Sequence, residues 1–238
     1  MEIIPAIDLR DGRCVRLFQG DFDQETVFSD DPLATALSWQ DQGGHRLHLV
    51  DLDGAVQGKP VHLDVISSIV RGLDIPVQVG GGIRDLAAAE AWLQAGVDRV
   101  VIGTAAVRDP DMVQEVCRRH GSQRVVVSVD AKDGLVALQG WTEASTVTVL
   151  ELAHQMHNIG VVRLLYTDIS RDGALTGPDL RTNAQLTQET GLAVLASGGV
   201  ASIEHIKALQ PTGVEGVIVG RALYTGAVSL PEAVAAVA

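Results

Sequence analysis

Eight short hydrophobic runs recur along the chain, and most of them are continuous rather than alternating with polar residues. Continuous runs of β-branched and aliphatic residues are typical of parallel strands that are buried on both faces. The predicted strands lie near residues 2–8, 46–51, 76–79, 98–102, 124–130, 161–167, 192–197 and 215–219.

The segments between these runs have helical spacing and carry capping residues at their ends. The clearest is residues 85–96, which begins at an aspartate and ends at a glycine. Asp31-Pro32, Asp109-Pro110 and Ser202 mark other helix starts. Eight alternations of strand and helix predict a (β/α)8 barrel of the TIM type, with a doubly wound sheet as the alternative. The longest irregular stretches are expected after strand ends, at residues 9–30, 52–60, 131–145 and 168–178.

The second half of the chain repeats features of the first half in the same order. An apolar run followed by Asp-x-(Arg/Lys)-Asp-Gly occurs at Asp8 and again at Asp130. The Gly-Gly pair at Gly81-Gly82 recurs at Gly198-Gly199. A repeat of this length is half a domain rather than a short solenoid unit. The expected units are one barrel over residues 1–238 and two half-barrels of about residues 1–121 and 122–238.

Composition narrows the class of protein and its partners. Hydrophobic residues make up 46% of the chain and charged residues 20%, as in ordinary globular domains. The formal net charge of −12 opposes binding to nucleic acid or to an anionic membrane, so we expect neither as a partner. No hydrophobic run is long enough to span a bilayer, and no secretory signal is evident, which favours a cytoplasmic protein. The self-sufficient repeat favours a monomer.

Carboxylates stand where the predicted strands end. Asp8 and Asp130 close the first and fifth strands, and Asp172 follows the sixth, which ends at Thr167. In a barrel these positions face the mouth at the carboxyl ends of the strands, where active sites lie. Neighbouring carboxylates whose proton affinities differ can divide acid and base work. The alternative is structural: an aspartate that caps the following loop, or an Asp-Gly turn at Asp172.

Glycine-rich turns follow the third, fourth, seventh and eighth predicted strands. Glycine lets a backbone approach an anion closely, and a helix N-terminus offers free N–H groups. Tight turns alone are the other interpretation. We favour two phosphate sites on opposite sides of one mouth, and therefore a long ligand with a phosphate at each end. The candidates for the first site are Gly81, Gly82, Arg84, Gly103 and Thr104. The candidates for the second site are Gly177, Ser197, Gly198, Gly199, Gly220 and Arg221.

Arg16 and Trp141 complete the candidate binding set. Trp141 lies in the long loop after the fifth strand, where it either folds over a substrate ring or anchors the loop. The seven histidines form no constellation of metal ligands, since His154 and His157 share a helix face without a third ligand. His48 lies within the second strand and is expected in the core or at the mouth. Because nucleotide-binding fingerprints are also absent, we expect neither a metal nor an organic cofactor.

Several motifs together resemble the histidine-biosynthesis barrel family, over the whole chain. The resemblance implies an aldose–ketose isomerase that acts on N′-(5′-phosphoribosyl)formimino aminoimidazole carboxamide ribotide, the fourth step of histidine biosynthesis. It also implies that Asp8 is the general base and Asp130 the general acid, with Asp172 as a competing assignment for the acid. The motifs are residues 4–9, 15–17, 19–21, 48–55, 80–84, 167–173 and 197–200.

The implied reaction is an Amadori rearrangement of this bisphosphorylated ribotide, and three other functions compete with it. The sister cyclase of imidazole glycerol phosphate synthase shares the repeat and both aspartates, but its first strand usually reads Cys-Leu-Asp-Val where this chain has Ala6-Ile7-Asp8-Leu9. A dual isomerase that also accepts phosphoribosyl anthranilate would use the same chemistry. A barrel that binds phosphosugars without catalysis is opposed by the presence of all three aspartates.

Overall fold

Twelve strands and eleven α-helices make up the computed structural model, which describes residues 1–238. The strands are β1 (Glu2–Arg10), β2 (Arg13–Phe18), β3 (Asp21–Ser29), β4 (Leu47–Asp51), β5 (Val77–Gly80), β6 (Arg99–Ile102), β7 (Val125–Lys132), β8 (Leu135–Leu138), β9 (Glu143–Thr148), β10 (Arg163–Asp168), β11 (Ala193–Ser197) and β12 (Gly216–Val219).

Eight of these strands close into a parallel barrel. They pair in the order β1, β4, β5, β6, β7, β10, β11 and β12, and β12 pairs back with β1 through Glu2 opposite Gly216. These are the eight predicted strands, each displaced by no more than a few residues at either end. The (β/α)8 barrel is therefore confirmed and the doubly wound sheet is excluded. The division into two half-barrels, about residues 1–121 and 122–238, stays a prediction.

The helices pack around the barrel and begin at the predicted caps. Asp31, Asp85 and Asp109 each accept a hydrogen bond from the backbone three residues later, and Ser202 does the same for its helix. The helices are α1 (Pro32–Asp41), α2 (Leu52–Gln57), α3 (Leu63–Gly72), α4 (Leu86–Gln94), α5 (Thr104–Arg108), α6 (Pro110–His120), α7 (Val149–Asn158), α8 (Leu180–Thr190), α9 (Ile203–Leu209), α10 (Arg221–Tyr224) and α11 (Leu230–Ala235). No helix has the length and hydrophobicity needed to cross a membrane.

Two hydrophobic cores hold the barrel together. The larger, of 54 buried residues, fills the layer between the strands and the surrounding helices. Both cysteines, Cys14 and Cys117, are free thiols buried in this layer. The smaller core has seven residues and fills the inside of the barrel, which is packed rather than hollow. Its members are Ile4, Ala6, Val101, Val126, Leu165, Leu195 and Ile218.

The expectation of irregular loops at residues 9–30 and 131–145 was wrong, because each contains an antiparallel hairpin. Strand β1 continues past the barrel to Arg10, turns at Asp11-Gly12 and pairs with β2, which pairs with β3. Strand β7 likewise turns at Asp133-Gly134 and pairs with β8. All four turn residues have positive φ, which favours the tight two-residue hairpin. Residues 52–60 contain helix α2, whereas 168–178 form turns without a strand beyond Asp168 or a helix.

Candidate active site

The three predicted carboxylates line one cavity at the carboxyl ends of the barrel strands. Asp8, Asp130 and Asp172 share this cavity with Thr167 and with Trp141 of the second hairpin. The floor is the top layer of the barrel interior, so it is apolar and closed. Its residues are Ala6, Val101, Leu165 and Ile218. A closed apolar floor beneath ionisable groups is the arrangement in which proton affinities shift most.

Asp8 is paired with a cation. Its Oδ2 accepts a hydrogen bond of 2.8 Å from Arg16 Nη1, and Arg16 Nη2 donates to the Ala6 carbonyl oxygen. Both side chains are largely buried, at 15% exposure for Asp8 and 14% for Arg16. Burial raises the pKa of Asp8, and the adjacent guanidinium opposes that rise. The ion pair therefore favours the charged form of Asp8 against the effect of its burial.

Asp130 occupies the equivalent strand position but has neutral partners. Ser128 Oγ donates to Oδ1 at 2.9 Å, and Trp141 Nε1 donates to Oδ2 at 2.8 Å. Thr167 lies opposite Asp130 in the β7–β10 register. Burial raises the pKa of Asp130, while hydrogen bonds from Trp141, Ser128 and Thr167 lower it.

Asp172 has a proton affinity well above that of an ordinary carboxylate. It lies on the turn after β10 and lines both cavities at the mouth. Burial raises the pKa of Asp172 to about 6; the charges of Asp8 and Asp130 add to the rise and Arg16 opposes it. Asp172 therefore lies close enough to Asp8 and to Asp130 to feel the charge of each. Asp172 is therefore a carboxyl group that changes charge near physiological pH.

His48 lies at the mouth and is neutral. Burial, reinforced by the Arg16 charge, lowers the pKa of His48 to about 3. Gln78 Nε2 lies 3.0 Å from His48 Nδ1, which fixes the imidazole in place. His48 also lines the cavity, so a neutral imidazole is available there as a hydrogen-bonding group.

The first glycine-rich turn passes close behind the cavity wall. Gly81 and Gly82 have φ of +103° and +73°, and a Cβ on either one would overlap backbone of the α2 region. Thr104 Oγ1 accepts a hydrogen bond from the Gln139 backbone N–H, which ties the turn between β8 and β9 to this side of the cavity. All five predicted residues of the first site line the main cavity: Gly81, Gly82, Arg84, Gly103 and Thr104.

The second glycine-rich turn borders a smaller, adjoining cavity. The two cavities share Arg16, Asp172 and Ser197, so one ligand can occupy both. Arg221 is held here by its hydrogen bond to the Gly173 carbonyl oxygen at 2.7 Å. The remaining predicted residues on its wall are Gly198, Gly199 and Gly220. Gly177 is not part of either wall, because it is buried behind Gly199 and donates its N–H to the Gly199 carbonyl oxygen.

The turn between β2 and β3 meets the turn between β8 and β9 over the mouth. A Cβ on Gly20 would overlap the Trp141 ring, so the first of these turns rests on the indole of the second. Gln19 Nε2 donates to the Ser170 carbonyl oxygen at 2.7 Å and joins the β2–β3 turn to the turn after β10. Trp141 thus has loop-anchoring contacts and also faces the cavity, so both interpretations of this residue stay open.

Other acidic and histidine residues near the mouth have structural partners. Asp51 accepts hydrogen bonds from the backbone of Gly54, Val61 and His62. Asp53 accepts from the Asp11 backbone and contacts the His62 ring. The ligand atoms of Asp51, Asp53 and His62 lie within 4.8 Å of one another, but these hydrogen bonds account for their arrangement.

Sequence reasoning missed the partners of the carboxylates. Ser128 precedes Asp130 by two residues on the same strand, and the period of two along a strand places both on one face, so a signal was present. Tyr224 lies behind Arg16, a contact that only the tertiary fold creates.

The family model described as histidine biosynthesis protein matches residues 2–229. The chain belongs to this family. The expected resemblance is therefore confirmed over nearly the whole chain.

Three relatives that match this chain over nearly its full length share the same name. Proteins of Roseiflexus castenholzii and Chloroflexus aurantiacus are 53% and 55% identical to this chain, over 99% of it in both cases and over 99% and 97% of their own lengths. A protein of Gloeothece citriformis is 53% identical over 100% of this chain and 93% of its own. All three are named 1-(5-phosphoribosyl)-5-((5-phosphoribosylamino)methylideneamino) imidazole-4-carboxamide isomerase.

Proposed function

We propose that this chain is an aldose–ketose isomerase that converts the aminoaldose ribotide named for its relatives into the corresponding phosphoribulosyl ketose. One observation carries the proposal: three carboxylates lie in one mouth between two glycine-rich walls, which are formed by the turns at Gly81-Gly82 and Gly198-Gly199. The full-length likeness to isomerases of that name supports the same substrate. The reaction is an intramolecular Amadori rearrangement in the histidine pathway.

The substrate matches the shape of the mouth. It carries a phosphate at each end, and the two glycine-rich walls lie on opposite sides of the barrel, after β5 and β6 and after β11 and β12. Phosphate is bound by backbone N–H groups at such turns even in an acidic protein. We place one phosphate on each wall, with the reacting ribose between them over the carboxylates.

We assign proton abstraction at C2′ to Asp8. A base must be ionised, and the Arg16 guanidinium at 2.8 Å favours the charged form of Asp8. The reaction needs a base only after the ribose ring has opened to an imine. The imine then accepts the electrons released at C2′, so proton donors and acceptors are sufficient for the chemistry.

We assign proton donation to the ribose ring oxygen to Asp172, with Asp130 as the competing group. An acid must carry a proton, and Asp172 has a pKa of about 6. Burial raises the pKa of Asp130 as well, but hydrogen bonds from Ser128 and Trp141 oppose that rise and favour its charged form. We give Asp130 and Thr167 the task of orienting the substrate hydroxyl groups.

The test is an absorbance assay of the purified protein with the aminoaldose ribotide in the presence of EDTA. A cyclase supplied with ammonia consumes the product, and phosphoribosyl anthranilate is assayed in parallel. Turnover of the ribotide alone supports the proposal, and turnover of both substrates widens it to a dual isomerase. If the folded protein turns over neither, the proposal fails, and a glutaminase pull-down then tests the cyclase alternative.

We also propose that the protein acts as a cytoplasmic monomer without nucleic-acid or membrane partners. The net charge of −12 opposes contact with polyanions, and the barrel closes on itself within the single chain. Sedimentation equilibrium should give a mass near the 25.1 kDa of the single chain. A dimer mass would overturn the monomer.

A further inference from the structure

Three aromatic rings lie behind the ion pair of the candidate base. The Tyr224 ring centroid is 5.5 Å from the guanidinium carbon of Arg16, which lies over the ring. Trp39 of α1 packs edge-on against Tyr224 at 5.4 Å and 87°, and Phe28 of β3 packs at 4.7 Å and 34°. The cluster therefore brings α1, β3 and α10 together behind a single charged side chain.

Arg16 has few polar contacts for a buried cation. Asp8 and the Ala6 carbonyl oxygen take up its two terminal nitrogens, while its Nε has no hydrogen-bond partner. Since a guanidinium is attracted to the negative face of an aromatic ring, Tyr224 supplies the contact that the polar groups leave open. The Tyr224 hydroxyl is buried without a partner, so the ring and not the hydroxyl makes the contribution.

We infer that Tyr224 is a positioning residue, whose ring holds the Arg16 guanidinium against Asp8 and thereby fixes the direction of the Asp8 carboxylate. Trp39 and Phe28 in turn hold the Tyr224 ring. The inference rests on the proposed function, which assigns Asp8 as the base. Tyr224 itself lines neither cavity, so it acts through Arg16 rather than on the substrate.

Helix α10, which carries Tyr224, also connects the aromatic cluster to the second glycine-rich wall. Arg221 and Tyr224 lie one turn apart in α10. The preceding Gly220 packs so closely that a Cβ there would lie 2.7 Å from the Arg16 guanidinium carbon. Because Gly220 and Arg221 line the wall where we place a phosphate, α10 sets the position of that wall relative to the Asp8–Arg16 pair.

Five titratable groups surround Arg16 and enter any measurement of pH dependence: Asp8, Cys14, His48, Asp172 and Tyr224. Asp8 lies closest and is the group to which Arg16 donates directly. A less firmly held Arg16 stabilises the Asp8 carboxylate less, so the Asp8 proton is lost at a higher pH. A base works when it is ionised, and the acidic limb of the kcat profile then moves to higher pH.

The experiment compares two variants. Tyr224→Phe keeps the aromatic ring, whereas Tyr224→Met keeps apolar bulk but removes the ring. For Tyr224→Met we expect kcat to fall about five- to tenfold, a smaller change in KM, and an acidic limb displaced to higher pH. Tyr224→Phe should stay within about twofold of wild type. Equal losses in both variants, or a Met variant with an unmoved acidic limb, would overturn the inference.

A measurement without turnover separates this inference from the proposed function. The Asp8 carboxyl carbon, assigned by comparison with Asp8→Asn, is titrated by NMR in ligand-free wild type and in Tyr224→Met. A higher midpoint in Tyr224→Met supports the positioning role even if the wild type turns over no ribotide. An unchanged midpoint refutes that role even if the wild type is an active isomerase. If Tyr224→Met does not fold, Phe28→Leu replaces it, with a smaller displacement expected in the same direction.

Discussion

The two halves of the barrel place an aspartate at the same strand end and surround it differently. Asp8 on β1 faces the Arg16 guanidinium at 2.8 Å. Asp130 on β7 faces a hydroxyl and an indole N–H, from Ser128 and Trp141. The backbone in both halves continues into a hairpin through an Asp-Gly turn with positive φ. Similar backbone at the two strand ends therefore presents carboxylates in two electrostatic environments, as the proposed division of acid and base work requires.

The glycine-rich turns show the opposite relation, because there the two halves agree closely. Gly81 and Gly198 have φ of +103° and +90°, and each would clash with backbone if it carried a Cβ. Gly103 and Gly220 share an unusual backbone conformation, with ψ of −100° and −103°. Anion binding by backbone needs the same geometry on both sides, whereas acid–base work needs a difference. The similarity and the difference between the halves both follow from the proposed chemistry.

The largest effect is expected from Asp8→Asn. The substitution keeps the shape of the side chain but removes the base, so kcat should fall by about 10²–10⁴-fold. Binding of a bisphosphorylated ligand should persist, because the glycine-rich walls are unchanged. Steady-state kinetics and calorimetric titration check the two parts. A variant with near wild-type kcat would remove Asp8 from the mechanism and with it the contrast between the halves.

The next effect distinguishes the two candidate acids. If Asp172 donates the proton, wild-type kcat/KM falls as the pH rises above about 6, because the carboxyl group loses its proton there. Asp172→Asn should remove this falling limb and lower kcat by about 10²-fold. Asp130→Asn should retain the limb and lower kcat less. The reverse pattern in full pH profiles of both variants would assign the acid to Asp130.

A smaller effect tests the similarity of the two glycine-rich walls. In Gly81→Ala and Gly199→Ala the new methyl group meets the backbone of Asp51 and Gly177, so each wall must move. We expect KM to rise about tenfold in each variant, since sub-ångström displacements weaken a positioned phosphate contact. Gly160→Ala is the matched control, with φ of +93° and open space around it. An unchanged KM in both test variants would remove the model of two phosphate sites.

The smallest effect concerns stability. The pKa of Asp172 is raised by folding from its ordinary value of 3.8 to about 6, so the stability of the folded state falls as the pH rises between these two values and levels off above them. Asp172→Asn removes this loss. Its free energy of unfolding relative to wild type should therefore be about 1 kcal/mol larger at pH 8 than at pH 5. Urea denaturation at both values measures this, with Asp133→Asn in an exposed turn as control. If the difference in free energy of unfolding between Asp172→Asn and wild type is the same at both pH values, the burial of the Asp172 charge is contradicted.

Much of the fold could be predicted because its causes are local. Buried parallel strands read as continuous apolar runs, and all eight were found near their observed positions. The helix starts at Asp31, Asp85, Asp109 and Ser202 followed from side chains that accept a backbone hydrogen bond. The three carboxylates came together as expected, since each follows a strand that ends at the same rim of the barrel.

The missed features depend on pairings that no local pattern specifies. The Asp-Gly pairs of both hairpins belong to the repeated motif, but β3 is exposed along most of its length, so its sequence has no hydrophobic face that marks a strand. The Arg16–Asp8 pair requires β2 to fold back along β1. The contact between Arg16 and Tyr224 joins residues near opposite ends of the chain, and only barrel closure brings them together.

The most direct test is a crystal structure of Asp8→Asn with the aminoaldose ribotide bound. The account predicts one phosphate on the wall of Gly81 and Gly82 and the other on the wall of Gly198 and Gly199. It also predicts the ribose C2′ within contact of residue 8 and the ring oxygen near Asp172. A ribotide bound with both phosphates on one wall, or with its ribose away from these carboxyl positions, would contradict the account.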